Sequence, residues 1–270
     1  MVKSYPNSGM PKNQRKPILV LDREPKTIKE VIAQLDQVIE DTIEDNNYLG
    51  IFAYVYRRTT AAIEQAIKEK RFEENERMER FDVQFANYYL NAYKNFKKGK
   101  PVSKAWQISF DHRTTSLTIM QHLMLGMNAH INLDLGATAG LFKEGNIEDL
   151  ESDFMRVNDI LKELTDEMQL KVSRSSFLIA VLDKLAKKRD EEVANFSIVQ
   201  ARKQAWRFAC NLAEMDTAQS TTAIAEADQL VASIGRIIIN PKSRLARLII
   251  KIINWLEEKN VKLIIQQLQQ

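Results

Sequence analysis

The chain has 270 residues, 44% of them hydrophobic, with 39 basic and 36 acidic side chains and a net charge of +3. That mixed surface is not the electrostatic footprint of a nucleic-acid partner, and the single cysteine, Cys210, excludes an internal disulfide. No apolar run approaches the roughly eighteen residues of a membrane span, and no signal-peptide-like segment opens the chain, so a soluble cytoplasmic protein is expected.

Only 8 Gly and 6 Pro punctuate the sequence, which favours long helices over many tight turns. Residues 1–25 hold four of the prolines (Pro6, Pro11, Pro17 and Pro25) and little periodicity, and read as a flexible N-terminal arm. Helical spacing begins at Thr27, with Ile28, Val31, Ile32, Leu35, Val38 and Ile39 on one face. A second helix is expected over Phe52 to about Lys68, and a third from about Asn75 to Phe96. The third carries Phe81, Phe85, Tyr89 and Phe96 on its apolar stripe, Asp82 inside that stripe, and Glu79 one turn from it. Gly99-Lys100-Pro101 marks a turn, followed by a short helix with Trp106 and Ile108.

The next helix, capped by Thr114 or Thr115 and running to about Leu135, is apolar in nearly every direction. Such a helix belongs in the interior of a protein. Yet it carries His122, Asn128, His130, Asn132 and Asp134. Buried polar groups need hydrogen-bond partners, and a buried carboxylate needs a counter-charge or a metal. His130 and Asp134 are four residues apart, so they share a face and are the one chelating pair this helix offers. His122 lies about 12 Å along the axis from His130.

Further helices are expected at 147–164, at Ser173 to Lys188 with a basic end at Lys184, Lys187, Lys188 and Arg189, at Asp190 to Met215, and at 217–239. Within the 190–215 helix, Ala201, Ala205, Ala209 and Ala213 give a small-residue face with Arg202 among them, a candidate partner for a buried carboxylate. Asn240-Pro241 breaks the pattern. A helix at 243–259 follows, apolar through Leu245, Leu248, Ile249, Ile252, Ile253 and Leu256, and basic through Arg244, Arg247 and Lys251. That side is expected to pack on the bundle or on a second subunit, with membrane-surface contact by 243–259 as the lesser reading. A short helix ends at the glutamines. The fold class is therefore all-α: a single multi-helix bundle around a buried central helix at about 115–135, with residues 26–270 forming one helical domain.

The block Leu125-Gly126-Met127-Asn128-Ala129-His130-Ile131-Asn132-Leu133-Asp134 resembles the signature of the domain of unknown function 5995 family. Met78-Glu79 with Asp82, Phe154 with Val157-Asn158, and Phe196-Ser197-Ile198 with Ala201-Arg202 agree with it, over about residues 50–265. The resemblance implies no activity. The chain is also faintly similar to the His-rich helices of zinc-dependent phospholipase C and related nucleases, but it has three histidines where those sites need more.

Two functional readings follow. In the first, an enzyme acts on a small-molecule or lipid-like ligand by acid/base or single-metal chemistry, with hydrolysis as the expected reaction class. His130, Asp134, His122, Asp82 and Glu79 are its candidate catalytic groups, and Arg202, Asn128, Asn158 and Tyr89 its candidate substrate-binding groups. One divalent metal ion on His130 and Asp134 is the candidate cofactor. An apolar cavity lined by Met120, Met124, Met127, Phe85 and Tyr89 would point to a lipid. In the second, the same groups form a structural hydrogen-bond network in a non-catalytic binding or scaffold protein. No Gly-rich phosphate loop, Gly-x-Ser-x-Gly, His-Glu-x-x-His or Cys-x-x-Cys motif is present.

Overall fold

Side-chain caps open the first and fourth helices, the central helix and two of the later helices. The computed structural model describes residues 23–175 and 198–269. The arm residues 1–22, and the parts of the two expected helices that fall within 176–197, lie outside the described residues. The Thr27 hydroxyl accepts the Glu30 N–H and opens α1 (Ile28–Glu44). Asn46 and Lys70, both at positive φ, turn the chain after α1 and after α2 (Leu49–Lys68). α3 (Asn75–Lys97) ends at Gly99, whose φ of +66° suits a residue without Cβ. Ser103 caps α4 (Lys104–Asp111).

The central helix starts later than its threonines suggested. The Thr115 hydroxyl is taken up by the His112 carbonyl. Thr118 is the cap, in a reciprocal box with Gln121, and α5 runs over Ile119–Ala129. The helix also does not stop near Leu135. It passes through a π-turn, His130–Leu135, and continues as α6 (Gly136–Leu141). A π-turn widens the helix by one residue and leaves backbone groups out of register. Here the Thr138 hydroxyl donates to the Asp134 carbonyl at 2.7 Å.

α7 (Ile147–Ser175), α8 (Ile198–Ala213), α9 (Thr217–Ile239), α10 (Arg244–Leu256) and α11 (Val261–Gln269) complete an all-α fold, with no strand among the described residues. The α5–π–α6 unit is touched by α2, α3, α4, α8 and α9, so it is central as its composition requires. α6 and α8 meet through small residues: a Cβ on Gly140 would lie 2.8 Å from the Ala209 carbonyl oxygen and 2.6 Å from the Leu212 Cβ. α11 buries Val261, Ile264, Ile265 and Leu268, and Tyr54 Oη donates to the Leu268 carbonyl.

α10 departs from expectation. It does not lay its apolar side on the bundle: Ile253 is its one buried residue, while Leu245, Leu248, Ile252, Trp255 and Leu256 are exposed. Its position is set by polar ties instead, with Asn254 exchanging hydrogen bonds with Ser116. Among the described residues no helix is long and apolar enough to cross a membrane.

The α6–α8 contact is testable. Gly140→Ala places a methyl group against a backbone carbonyl that cannot rotate away, and should cost about 1–3 kcal/mol. Urea denaturation measures it. An unchanged midpoint would mean that the helices separate freely at this point.

Candidate functional site

Asp134 sits at the junction of a buried core and a surface cleft. Its carboxyl is buried in the π-turn, and Trp106 Nε1–H donates to its Oδ2 at 2.9 Å. His130 Nδ1 lies 3.4 Å from the same oxygen, at the outer edge of hydrogen-bond reach. The donor Trp106 is placed by α4, whose first turn is held by Asp228 of α9. The Asp228 carboxylate accepts from the Lys104 and Ala105 N–H groups at 2.8 Å each.

The His130 ring lies in a box of aromatic side chains. It stacks on Phe85 (centroids 3.8 Å apart, 11° between planes) and meets Tyr56 edge-on at 4.3 Å. Phe52, Tyr89 and Trp106 close the box at 5.6, 6.2 and 6.2 Å. Among the described residues the His130 Nε2, Tyr89 Oη and Asp82 Oδ2 atoms have no hydrogen-bonding partner.

Burial sets the charge states. It holds the His130 imidazole well below its ordinary range and pushes the Asp134 carboxyl well above its own, although the Trp106 hydrogen bond opposes the latter shift. Burial thus favours the neutral form of both groups. Asp82 is raised to about 7 by burial and then by Glu79. Tyr56 is pushed well above its ordinary range by burial and then by Asp82. Tyr56 therefore both meets the His130 ring and feels the Asp82 carboxyl.

The front is an open cleft of about 520 Å³ with Trp106 and Asp134 in its lining. One wall is a stripe on α3 (Gln84, Asn87, Tyr88, Asn91 and Asn95) and the other includes Pro101, Val102 and Ser103. Asn91 Nδ2 is held by Glu24 at 2.8 Å, and Asn87 Nδ2 donates to the Pro25 carbonyl at 3.3 Å. A second cleft of about 750 Å³ lies at the α6 end and the α8–α9 turn and includes Cys210. It contains none of the His130 and Asp134 groups. Neither cleft is lined by Met120, Met124 and Met127.

Of the expected site residues, His130, Asp134 and Tyr89 come together, with Asp82 behind them. The others do not converge. Glu79 accepts the Ile28 N–H and caps α1. His122 stacks on Tyr48 at 4.4 Å, and burial lowers it to about 4. Asn128 Nδ2 donates to the Val231 carbonyl of α9, and its Oδ1 accepts from Asn132. Arg202 donates to Asn158 Oδ1 at 2.7 Å and to the Phe154 carbonyl at 2.6 Å, and lies over the Phe154 ring. These bonds join α7 to α8 and take Arg202 away from the buried carboxyls for which it was a candidate partner. Burial lowers its guanidinium to about 9.

For a metal ion, His130 and Asp134 offer two donors, and no group of three His, Cys, Asp or Glu side chains converges among the described residues. Zinc sites ordinarily take three or four protein ligands. Reading the sequence by residue type missed Trp106, Tyr56 and the amide wall. The amides were detectable: Gln84, Asn87, Asn91 and Asn95 recur at three and four on one helix face.

The chain belongs to the family of unknown function DUF5995, whose profile matches residues 28–241. No curated protein and no solved structure matches it. The likeness to zinc-dependent phospholipase C helices gains no support from these comparisons. The matched span runs from α1 to α9 and contains His130, Asp134, Trp106 and the α3 wall of the cleft, while Glu24 and Pro25 precede it and α10 and α11 lie beyond it.

The Asp82 shift gives a signed prediction. A carboxyl with a raised folded pKa keeps its proton while the unfolded chain releases one, so its contribution is full below about pH 4 and is lost as pH rises to about 7. Asp82→Asn removes that loss. Between pH 4 and 7 the variant should gain on the wild type by up to about 1.4 kcal/mol per pH unit, with a constant difference above. Urea melts across this range measure it, and a flat difference would place Asp82 in a more polar environment.

Proposed function

We propose that this member of the DUF5995 family is an enzyme that holds a small, neutral, hydroxyl- or amide-bearing molecule in the α3–α4 cleft and uses Asp134 as general acid. One observation carries the reading. The Asp134 carboxyl lines an open cleft, yet it is buried in a way that favours its protonated form, and it is held there by the Trp106 N–H. A general acid must hold its proton at the working pH and lie within reach of the atom it protonates.

The ligand class follows from the walls. Four side-chain amides and the Tyr88 and Ser103 hydroxyls offer both donors and acceptors. No Lys or Arg is in the lining, so nothing there favours a phosphate or carboxylate ligand. The same lining gives little support to a lipid-like ligand.

Asp134 gives its proton to a ligand oxygen as the bond from that oxygen to carbon breaks, and the electron pair of that bond stays on the oxygen. Water adds to the carbon and releases a proton, so the reaction is a hydrolysis. The Trp106 N–H, already 2.9 Å from Oδ2, stabilises the carboxylate left behind. His130 acts as a positioning residue that keeps the carboxyl oriented. A single-metal version rests on the His130–Asp134 pair alone and has less support.

The second reading, a non-catalytic protein with a structural network, draws on the bond between Asp134 and Trp106, which ties α4 to the π-turn. One experiment separates the two. Neutral polyols, glycosides and amides are screened against the purified protein by ligand-observed NMR, and binders are assayed for turnover. Asp134→Asn should lower turnover by at least about a hundredfold while binding is retained. Asn91→Leu should weaken binding itself. Binders that bind through Asn91 but are not turned over would establish the non-catalytic reading.

A further inference from the structure

We propose that α10 is a docking helix that lays its exposed side into the interface of an anionic lipid membrane. The inference is independent of the cleft and concerns the part of the chain beyond the family match.

Among the described helices α10 is the most one-sidedly apolar, and it faces outward. Trp255 is 82% exposed and Leu245 65%, with Leu248, Ile252 and Leu256 at half or more. A lone exposed leucine needs no explanation, but five large apolar side chains on one short helix do. At about 100° per residue, Leu248, Ile252, Leu245 and Leu256 form one strip. Trp255 stands at its edge, and Arg244, Arg247 and Lys251 run beside Trp255 as a basic rim. Ile253 points the other way, into the core. Basic rim, tryptophan edge and apolar strip are the features of a helix lying in the plane of a bilayer surface.

Charge selects the occupant. α10 contains no Asp or Glu, and Lys242 precedes it and Lys262 follows it. Past the helix, Glu257 is buried and accepts the Ile119 N–H at 2.8 Å, while the half-buried Glu258 accepts the Lys259 and Asn260 N–H groups and is matched in charge by Lys259, so the rim stays basic. A second copy would bring two such basic rims together. The first 22 residues of the chain carry Lys3, Lys12, Arg15 and Lys16 against Asp22, and so share the rim's sign. An anionic surface is the partner that complements both the strip and the rim.

The test uses the full chain and flotation with vesicles of phosphatidylcholine alone or mixed with phosphatidylserine. Trp106 and Trp206 are buried, so a blue shift in emission on adding vesicles reports Trp255. Binding to the mixed vesicles is expected, weakened by salt and absent with phosphatidylcholine alone. The double variant Leu248→Asp and Ile252→Asp should lose at least about tenfold in partitioning. Lys251→Ala should lose roughly fivefold. All three positions are exposed, so circular dichroism should stay unchanged. Three results would overturn the proposal: no preference for the mixed vesicles, a lipid-free dimer that Leu248→Asp converts to monomer, or a lipid-free monomer in which Trp255 is already shielded from a soluble quencher.

Discussion

A carboxyl group in the middle of the most buried helix must be satisfied from somewhere, and here it is satisfied by an indole. The Trp106–Asp134 hydrogen bond joins α4 to the π-turn. α4 itself is fixed by Asp228 of α9 at its first turn. Asp134 is thus held by a relay through three helices, and the relay leaves its carboxyl between the core and the cleft. The π-turn is part of the same arrangement, because Thr138 takes up the Asp134 backbone carbonyl.

Burial works against charge on both groups of the site. Two ions taken out of water cost several kcal/mol each, and their mutual attraction repays this only with very good geometry. At 3.4 Å the His130–Asp134 contact is too long for that. Burial therefore acts in opposite senses on the two, lowering the imidazole and raising the carboxyl. An aromatic box suits a neutral imidazole, whose ring stacks on Phe85 like another arene. It leaves Nε2 and the Tyr89 hydroxyl without partners among the described residues. Such atoms cluster where a protein has a use beyond stability.

The outer helices are tied to this centre by polar side chains as much as by packing. Glu257, just past α10, caps α5, and Asn254 holds the loop before it. Glu79 caps α1 from α3. Arg202 and Asn158 join α7 and α8. Several residues that looked chemical in the sequence are these ties. A buried polar side chain is needed in either role, so residue type alone does not separate them.

The sequence by itself determined that the protein is helical, where α1, α3 and α9 begin and end, and that the segment at about 115–135 is central. Those features follow from spacing within a few turns: apolar residues at three and four, and Pro241 as a breaker. It also singled out His130 and Asp134, since four residues is the distance that puts two side chains on one face. The tertiary structure alone decided the rest. It chose Trp106 as the partner of Asp134, 28 residues away, and Asn158 as the partner of Arg202, 44 residues away. It carried the central helix through a π-turn past Leu135 and left the apolar side of α10 outside the bundle. The physical reason is the same in each case. A helix pattern states that a face must be covered or a polar group satisfied, and only the arrangement of all the helices determines what covers the one and bonds the other.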